Sequence, residues 1–225
     1  MGKILTTITI EKRNETGEIL ESFTQQSRSW VKHFFDELYT IINPGNSVAS
    51  VNDITGAGRT LGYGSTGHQN YAGLLIVAQP GNGVALFQDG NNAGWYPLDN
   101  GGSPGGADLI GIQIGTSNTA VLPTDDKLGT RIAHGEGAGA LLYGGCEMYG
   151  FTASNPNASV NIRRYFTNKG GGSITVQESG LYCGGQRGGQ TAIFDVYCIC
   201  HDVFAGVTVN NGQILSVVYT VSITV

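Results

Sequence analysis

Apolar and polar residues alternate along much of this chain with the period of two that is typical of β-strands with unlike faces. The alternation is clearest at residues 215–225, where Ser and Thr separate Leu, Val, Tyr and Ile. It also runs through residues 3–12 and returns at 18–24, on the far side of an Asn-Glu-Thr-Gly turn. Because Asn and Gly are favoured in tight turns, the pattern predicts an N-terminal β-hairpin.

Further strands are predicted in the second half of the chain, at residues 109–114, 141–152, 160–166, 173–182, 192–204 and 207–209. Residues 168–172 and 210–212 are rich in Asn and Gly, which tolerate positive φ. We therefore expect tight hairpins at both places. The last fifty residues are predicted to form one antiparallel sheet with the C-terminal strand deep inside it.

One amphipathic helix is predicted between Ser29, a favourable N-cap, and Asn43-Pro44-Gly45, which ends it. Its apolar residues recur at helical spacing and form one broad stripe. Two interpretations remain open, since such a stripe packs either on the protein's own sheet or between subunits. The stripe consists of Trp30, Val31, Phe34, Phe35, Leu38, Ile41 and Ile42.

These elements predict an all-β protein, an antiparallel β-sandwich or jelly-roll-like domain with an N-terminal β-hairpin and one amphipathic α-helix. The boundaries are residues 1–28 for the hairpin, 29–43 for the helix and 44–225 for the sandwich. No fixed repeat or linker separates them, so we expect a single domain.

Composition narrows the classes of function. Glycine accounts for 36 of 225 residues without a Gly-X-Y period, which excludes collagen, and 13% charged residues indicate a folded chain. A net charge of −5 argues against nucleic-acid binding. Apolar runs are too short to span a membrane, and the alternating start is unlike a signal peptide. We expect neither a nucleic-acid nor a membrane partner.

Chemistry-bearing residues give no enzyme motif. The four histidines, His33, His68, His134 and His201, lie in no familiar local signature of nucleophilic catalysis, and the phosphate-loop pattern ending in Gly-Lys-Ser/Thr is absent. The four cysteines are expected to be free thiols packed in the core, with a disulfide or a metal site as alternatives. These are Cys146, Cys183, Cys198 and Cys200. We expect no catalytic residues, no metal and no cofactor.

Residues 46–107 are the least regular part of the chain and are rich in Gly, Asn and Pro. Within them, residues 89–106 form a long Gly/Asn/Pro tract, and a loop of this length without secondary structure is uncommon unless it binds something. Aromatic side chains on such loops can stack on sugar rings or anchor the loop to its own core. The candidates for a ligand or partner loop are Tyr63, Tyr71, Trp95 and Tyr96. The alternative function is therefore a carbohydrate-binding module, with a host-surface glycan as an example of its ligand.

Two segments carry distinctive motifs. Residues 114–121 read Ile-Gly-Thr-Ser-Asn-Thr-Ala-Val and are followed by Thr-Asp-Asp-Lys-Leu at 124–128, and residues 174–182 read Ile-Thr-Val-Gln-Glu-Ser-Gly-Leu-Tyr. Both resemble segments common in virion proteins of tailed bacteriophages. The closing strand at 212–225, the N-terminal hairpin and the helix start at Ser29-Trp30-Val31 look similar to the same proteins. The resemblance does not extend to residues 46–107.

The resemblance implies a non-enzymatic structural subunit, located in the virion, that assembles with itself and with other virion proteins. It leaves open whether the subunit belongs to the tail, a fibre, the head–tail connector or the capsid surface. We expect the N-terminal strand or the helix to dock on a neighbouring subunit. The predicted assembly interface is Ile4, Ile8, Trp30, Phe34, Phe35 and Leu38.

Overall fold

Antiparallel β-strands form most of the chain in a computed structural model that describes residues 3–27, 30–42, 47–62, 110–186 and 194–224. The first half holds β1 (Lys3–Arg13), β2 (Ile19–Ser27), α1 (Lys32–Ile42), β3 (Ser47–Asn52) and β4 (Gly58–Gly62). The second half holds β5 (Gly111–Gly115), β6 (Leu142–Ser154), β7 (Asn157–Thr167), β8 (Ile174–Gln186), β9 (Phe194–Val209) and β10 (Ile214–Thr224).

Two sheets share one core. The larger has five strands in the order β2-β1-β10-β7-β6, and the smaller has three in the order β5-β8-β9. Alternate residues of the larger sheet, such as Ile8, Val217 and Phe166, are fully buried in one cluster with Ile112 and Val176 of the smaller sheet. This confirms the predicted all-β, antiparallel, sandwich-like fold. β10 lies at the centre of the larger sheet, as its alternation predicted.

The predicted single sheet at the C-terminal end is wrong, because the chain crosses between sheets at both Asn/Gly turns. β8 and β9 pair in the smaller sheet, whereas β7 and β10 pair in the larger one. β9 is also one continuous strand where two were predicted. The crossing turns lie side by side and share the buried Asn168, whose side-chain amide donates to the carbonyls of Gly172 and Val209, each at 2.7 Å.

The N-terminal hairpin and the helix are confirmed. β1 and β2 pair antiparallel across the predicted turn. The helix packs on the edge of the smaller sheet: the N–H of Val31 donates to the carbonyl of Ile199 on β9 at 3.2 Å, and Trp30 forms a β-bridge with Cys200. Within the described residues, no helix is long and apolar enough to cross a membrane.

Candidate functional site

The six residues of the predicted assembly interface differ widely in exposure. Ile8 is fully buried in the protein's own core, so a neighbouring subunit cannot reach it. Trp30 and Phe34 are partly buried and pack against the same core, with ring centroids 4.2 Å apart. Leu38 is half-buried. Ile4 and Phe35 are the two that face solvent, with 65% and 58% of their surface exposed.

The predicted ligand loop lies outside the described residues. Tyr63, Tyr71, Trp95 and Tyr96 all fall between residues 63 and 109, so the glycan hypothesis stays a prediction.

The larger sheet extends beyond the part that the smaller sheet covers. Ile4 on β1 lies opposite Ile223 on β10, which lies opposite Ala158 on β7, and Ala158 lies opposite Ala153 on β6. These residues share the inner face with buried Ile8 by strand alternation, yet Ile4 and Ile223 are exposed.

Phe151 joins this surface, because it lies two residues before Ala153 on β6 and 75% of its surface is exposed. We call Ile4, Phe151, Ala153, Ala158 and Ile223 the apolar sheet end. Alternation in the sequence locates the inner face of a strand, but it does not show where the opposing sheet stops. For that reason the predicted interface contains Ile4 but lacks Phe151 and Ile223.

A buried polar cluster lies where β8 meets residues 116–130, which we call the 116–130 loop. The side chain of Glu178 on β8 is fully buried. Its carboxylate accepts backbone N–H bonds from Ser117 at 3.0 Å and from Gly129 and Thr130 at 2.8 Å each. A single carboxylate therefore fixes both ends of the loop.

Glycine makes room for this carboxylate. A Cβ atom on Gly115 would lie 2.2 Å from Oε1 of Glu178 and 2.5 Å from the carbonyl oxygen of Thr130. Real Cβ atoms do not make contacts this short, so residue 115 cannot carry a side chain unless these neighbours move. Close packing against Glu178 and Thr130 therefore explains why the Gly-Thr-Ser motif begins with a glycine.

His201 on β9 lies between two carboxylates. Its Nε2 atom is 3.0 Å from Oε2 of Glu178, and its Nδ1 atom is 2.8 Å from Oδ2 of Asp125 in the 116–130 loop. Both ring nitrogens face acceptors, so both must donate, and only the imidazolium form has two N–H groups. The geometry therefore indicates a charged histidine.

The pKa values shift in the same sense. Burial disfavours the imidazolium, but the hydrogen bonds to Glu178 and Asp125 outweigh it and raise the pKa of His201. Burial also disfavours the carboxylate of Glu178, but the bonds from His201 and from three backbone N–H groups lower its pKa. Each partner thus stabilises the charged form of the other.

This arrangement fits a structural role for His201. A catalytic histidine needs one ring nitrogen for the proton that it transfers, whereas both nitrogens here are held by carboxylates. The two carboxylates also contact opposite sides of the ring, so the three groups do not converge on one point. Within the described part of the chain, no group of three or more His, Cys, Asp and Glu side chains could hold a metal ion.

The cluster joins the two distinctive sequence motifs, at residues 114–128 and 174–182. Beside it, the backbone N–H of Leu128 donates to the hydroxyl of Tyr182 at 2.6 Å. Residues 114–128 and 174–182 thus form one packed unit through Glu178 and Tyr182.

The sequence offered one signal that was missed. In the sequence Glu178 continues the apolar alternation of Ile174 and Val176, and a charged residue at such a position needs a partner. In the structure the register of β8 shifts between Val176 and Glu178, and Glu178 lies on the face that the 116–130 loop covers. That partner, His201, is 23 residues away, and Asp125 is 76 residues from His201.

The cysteines behave as predicted. All four are free and buried. Cys200 belongs to the main core, while Cys198 lies in a smaller cluster with Tyr182 and Leu128. Burial raises the pKa of Cys146 to about 11.

No protein-family model, curated protein or solved structure matches this chain.

Proposed function

We propose that this chain is a non-enzymatic structural subunit of a tailed-bacteriophage particle, and that it assembles with copies of itself through the apolar sheet end. The observation that carries the proposal is the exposed inner face of the larger sheet, where Ile4, Phe151 and Ile223 stand in solvent beyond the shared core. The resemblance of the two motifs, the hairpin and the closing strand supports the assignment to a virion.

The composition around this surface suits a contact between proteins. Four of the five side chains at the sheet end come from residues 149–162 and 215–224, which contain no Asp, Glu, Lys or Arg. The centre of a protein–protein interface is depleted of charged residues in the same way. Burying a Phe or Ile side chain contributes about 1.5–3 kcal/mol.

A second exposed surface lies on the helix. Phe35 and Tyr39 point away from the core and are about half exposed, although Phe34 on the same helix and Trp30 just before it pack inward. The helix therefore serves the protein's own sheet with one side and leaves apolar surface on the other. This second surface gives a subunit two places at which to contact neighbours.

Light scattering on a sizing column tests the assembly. The parent chain should form a defined oligomer, and Phe151→Asp should convert it to monomer while its far-ultraviolet circular dichroism stays unchanged. Thr152→Asp is the matched control, because Thr152 is also exposed but lies on the other face of β6, where its hydroxyl bonds that of Ser159 at 2.9 Å. That variant should keep the oligomer.

A monomeric parent at all concentrations, or a Phe151→Asp variant with the parent's mass, would contradict the assembly proposal. The virion assignment has its own test. Peptides of this chain should be found by mass spectrometry in density-purified particles of the phage that encodes it, and their absence from those particles would overturn the assignment.

A further inference from the structure

We propose that His201 is a protonation-dependent clamp that holds the 116–130 loop, and through it the start of helix α1, against the smaller sheet. The inference concerns contacts within one chain. It therefore stands or falls independently of the assembly proposed above.

The clamp acts through a short chain of contacts. Oδ2 of Asp125 accepts from Nδ1 of His201 at 2.8 Å and from the backbone N–H of Leu122 at 3.0 Å. The carbonyl of Leu122 accepts in turn from the N–H of Asp125 at 3.0 Å, which closes a turn. Pro123, inside that turn, accepts the N–H of Lys32 at 2.7 Å. Since Lys32 is the first residue of α1, the helix start rests on the turn that His201 holds.

The two carboxylates respond differently to loss of the histidine proton. Glu178 has three backbone N–H donors besides His201 and stays satisfied when the ring is neutral. Among the described residues, the N–H of Leu122 is the one donor to Asp125 besides His201, and 22% of the Asp125 side chain is exposed, so water can replace the histidine. A neutral ring with one N–H would therefore keep Glu178 and release Asp125.

Among the residues that the structure describes, no ion pair joins Asp125 to a cation other than His201. The 116–130 loop adds Asp126 and Lys127, and β9 adds Cys198, Cys200 and Asp202, all of which are acidic groups except Lys127. Lys127 is exposed, and no contact joins it to the cluster among the described residues.

Helix α1 contributes Lys32, which pairs with Asp36 at 2.6 Å, and His33, which contacts the carbonyl of Cys198 at 3.2 Å. Burial lowers the pKa of His33 below its ordinary value of 6.5, so this histidine loses its proton at lower pH. If the contacts that hold the 116–130 loop are lost at a pH above 6.5, the loss is therefore assigned to His201, the histidine whose pKa is raised.

The sign of the effect follows from the raised pKa. A histidine that binds its proton more tightly when folded stabilises the folded contacts below its ordinary pKa. That stabilisation is lost as the pH rises through the folded value. The clamp is thus closed in mild acid and opens in alkali.

Hydrogen exchange measured by mass spectrometry tests the clamp on the full chain. Exchange of peptides covering residues 118–128 should be compared at about pH 6 and about pH 9, after the intrinsic rate is divided out, and protection should fall by roughly tenfold or more at the higher pH. In the His201→Gln variant the same peptides should be poorly protected at both pH values. His33→Gln, the matched control, should keep the parent's pH response.

If His201→Gln fails to fold, Asp125→Asn replaces it, because this change removes the charge of the exposed partner and leaves Glu178 and His201 in place. It should abolish the pH response of the loop while circular dichroism stays that of the parent. Protection that does not change with pH in the parent, or that responds equally in Asp125→Asn, would overturn the proposal.

Discussion

Nη1 of Arg164, on the larger sheet, lies 3.1 Å from the carbonyl oxygen of Ile112, on the smaller sheet. The same nitrogen donates to the carbonyl of Ile110 at 2.9 Å, and Nε donates to that of Gly144 at 2.8 Å. The guanidinium is buried and lies over the ring of Tyr143, 4.8 Å from its centroid. A charged side chain thus fastens the two sheets at the centre of an apolar core.

Replacing Arg164 by Met should destabilise the protein strongly. The change keeps most of the side-chain volume but leaves buried carbonyls without their donor, which costs roughly 2–4 kcal/mol in free energy of unfolding. Urea unfolding at constant pH measures the loss.

Arg163→Met is the matched control, because Arg163 lies next to it on the other face of β7 and pairs with the half-exposed Glu147. Loss of that pair and of its stacking on Tyr149 should cost only about 1 kcal/mol. Equal losses in the two variants would contradict the role assigned to Arg164.

The Gly115→Ala substitution should also lower the free energy of unfolding. Its new methyl group would overlap the carboxylate of Glu178 and the carbonyl of Thr130, so β5 or the 116–130 loop must shift. We expect a loss of about 2–3 kcal/mol, as for other overpacked sites.

The control for this change is Gly172→Ala, where a Cβ meets nothing within 4 Å and φ is ordinary. It should change stability by less than about 0.5 kcal/mol. Thermal unfolding followed by circular dichroism compares the two, and a Gly115→Ala variant as stable as Gly172→Ala would show that the loop adapts without cost.

Local patterns in the sequence were enough to predict most of the elements. The alternation in β1 and β10 and the helical spacing of Trp30 and Phe34 reflect burial on one side, which acts on each element separately. Pairing was harder to predict. The Asn210–Gly212 turn has the composition of a hairpin, and the same composition serves a crossing between sheets, because both need a sharp reversal with positive φ at Gly212.

The candidate sites depend on contacts between distant residues. Phe151 is exposed only because the smaller sheet ends before it, and Glu178 is tolerated only because His201 and the 116–130 loop meet it in space. A short window of sequence shows neither condition. It shows only that Glu178 interrupts the apolar alternation of Ile174 and Val176.

The four thiols should be unreactive in the folded protein. Burial raises the pKa of Cys146 to about 11 and those of Cys198 and Cys200 well above the ordinary range, so little thiolate is present at neutral pH. An aromatic disulfide reagent should label none of the four cysteines in buffer and all four in concentrated urea. Rapid labelling of a single cysteine without urea would show that its part of the core opens locally.

Glu178→Gln should change how stability depends on acid. Because the folded pKa of Glu178 lies below its ordinary value of 4.5, the carboxylate stabilises the protein above that pH. The contribution is lost as the pH falls through the folded value. The parent should therefore lose stability steeply below about pH 4.5, and the variant less steeply.

At neutral pH the Glu178→Gln variant should be less stable than the parent by roughly 3 kcal/mol, because His201 loses one of the two charges that face it. Glu147→Gln, which removes a half-exposed carboxylate, should lose less than about 1 kcal/mol at neutral pH. Urea unfolding at a series of pH values distinguishes the two variants. Loss of a buried ion pair changes both the free energy of unfolding at neutral pH and its dependence on pH. Parallel profiles for the parent and Glu178→Gln would mean that the carboxylate is neutral in the folded protein, and that His201 is held by Asp125 alone.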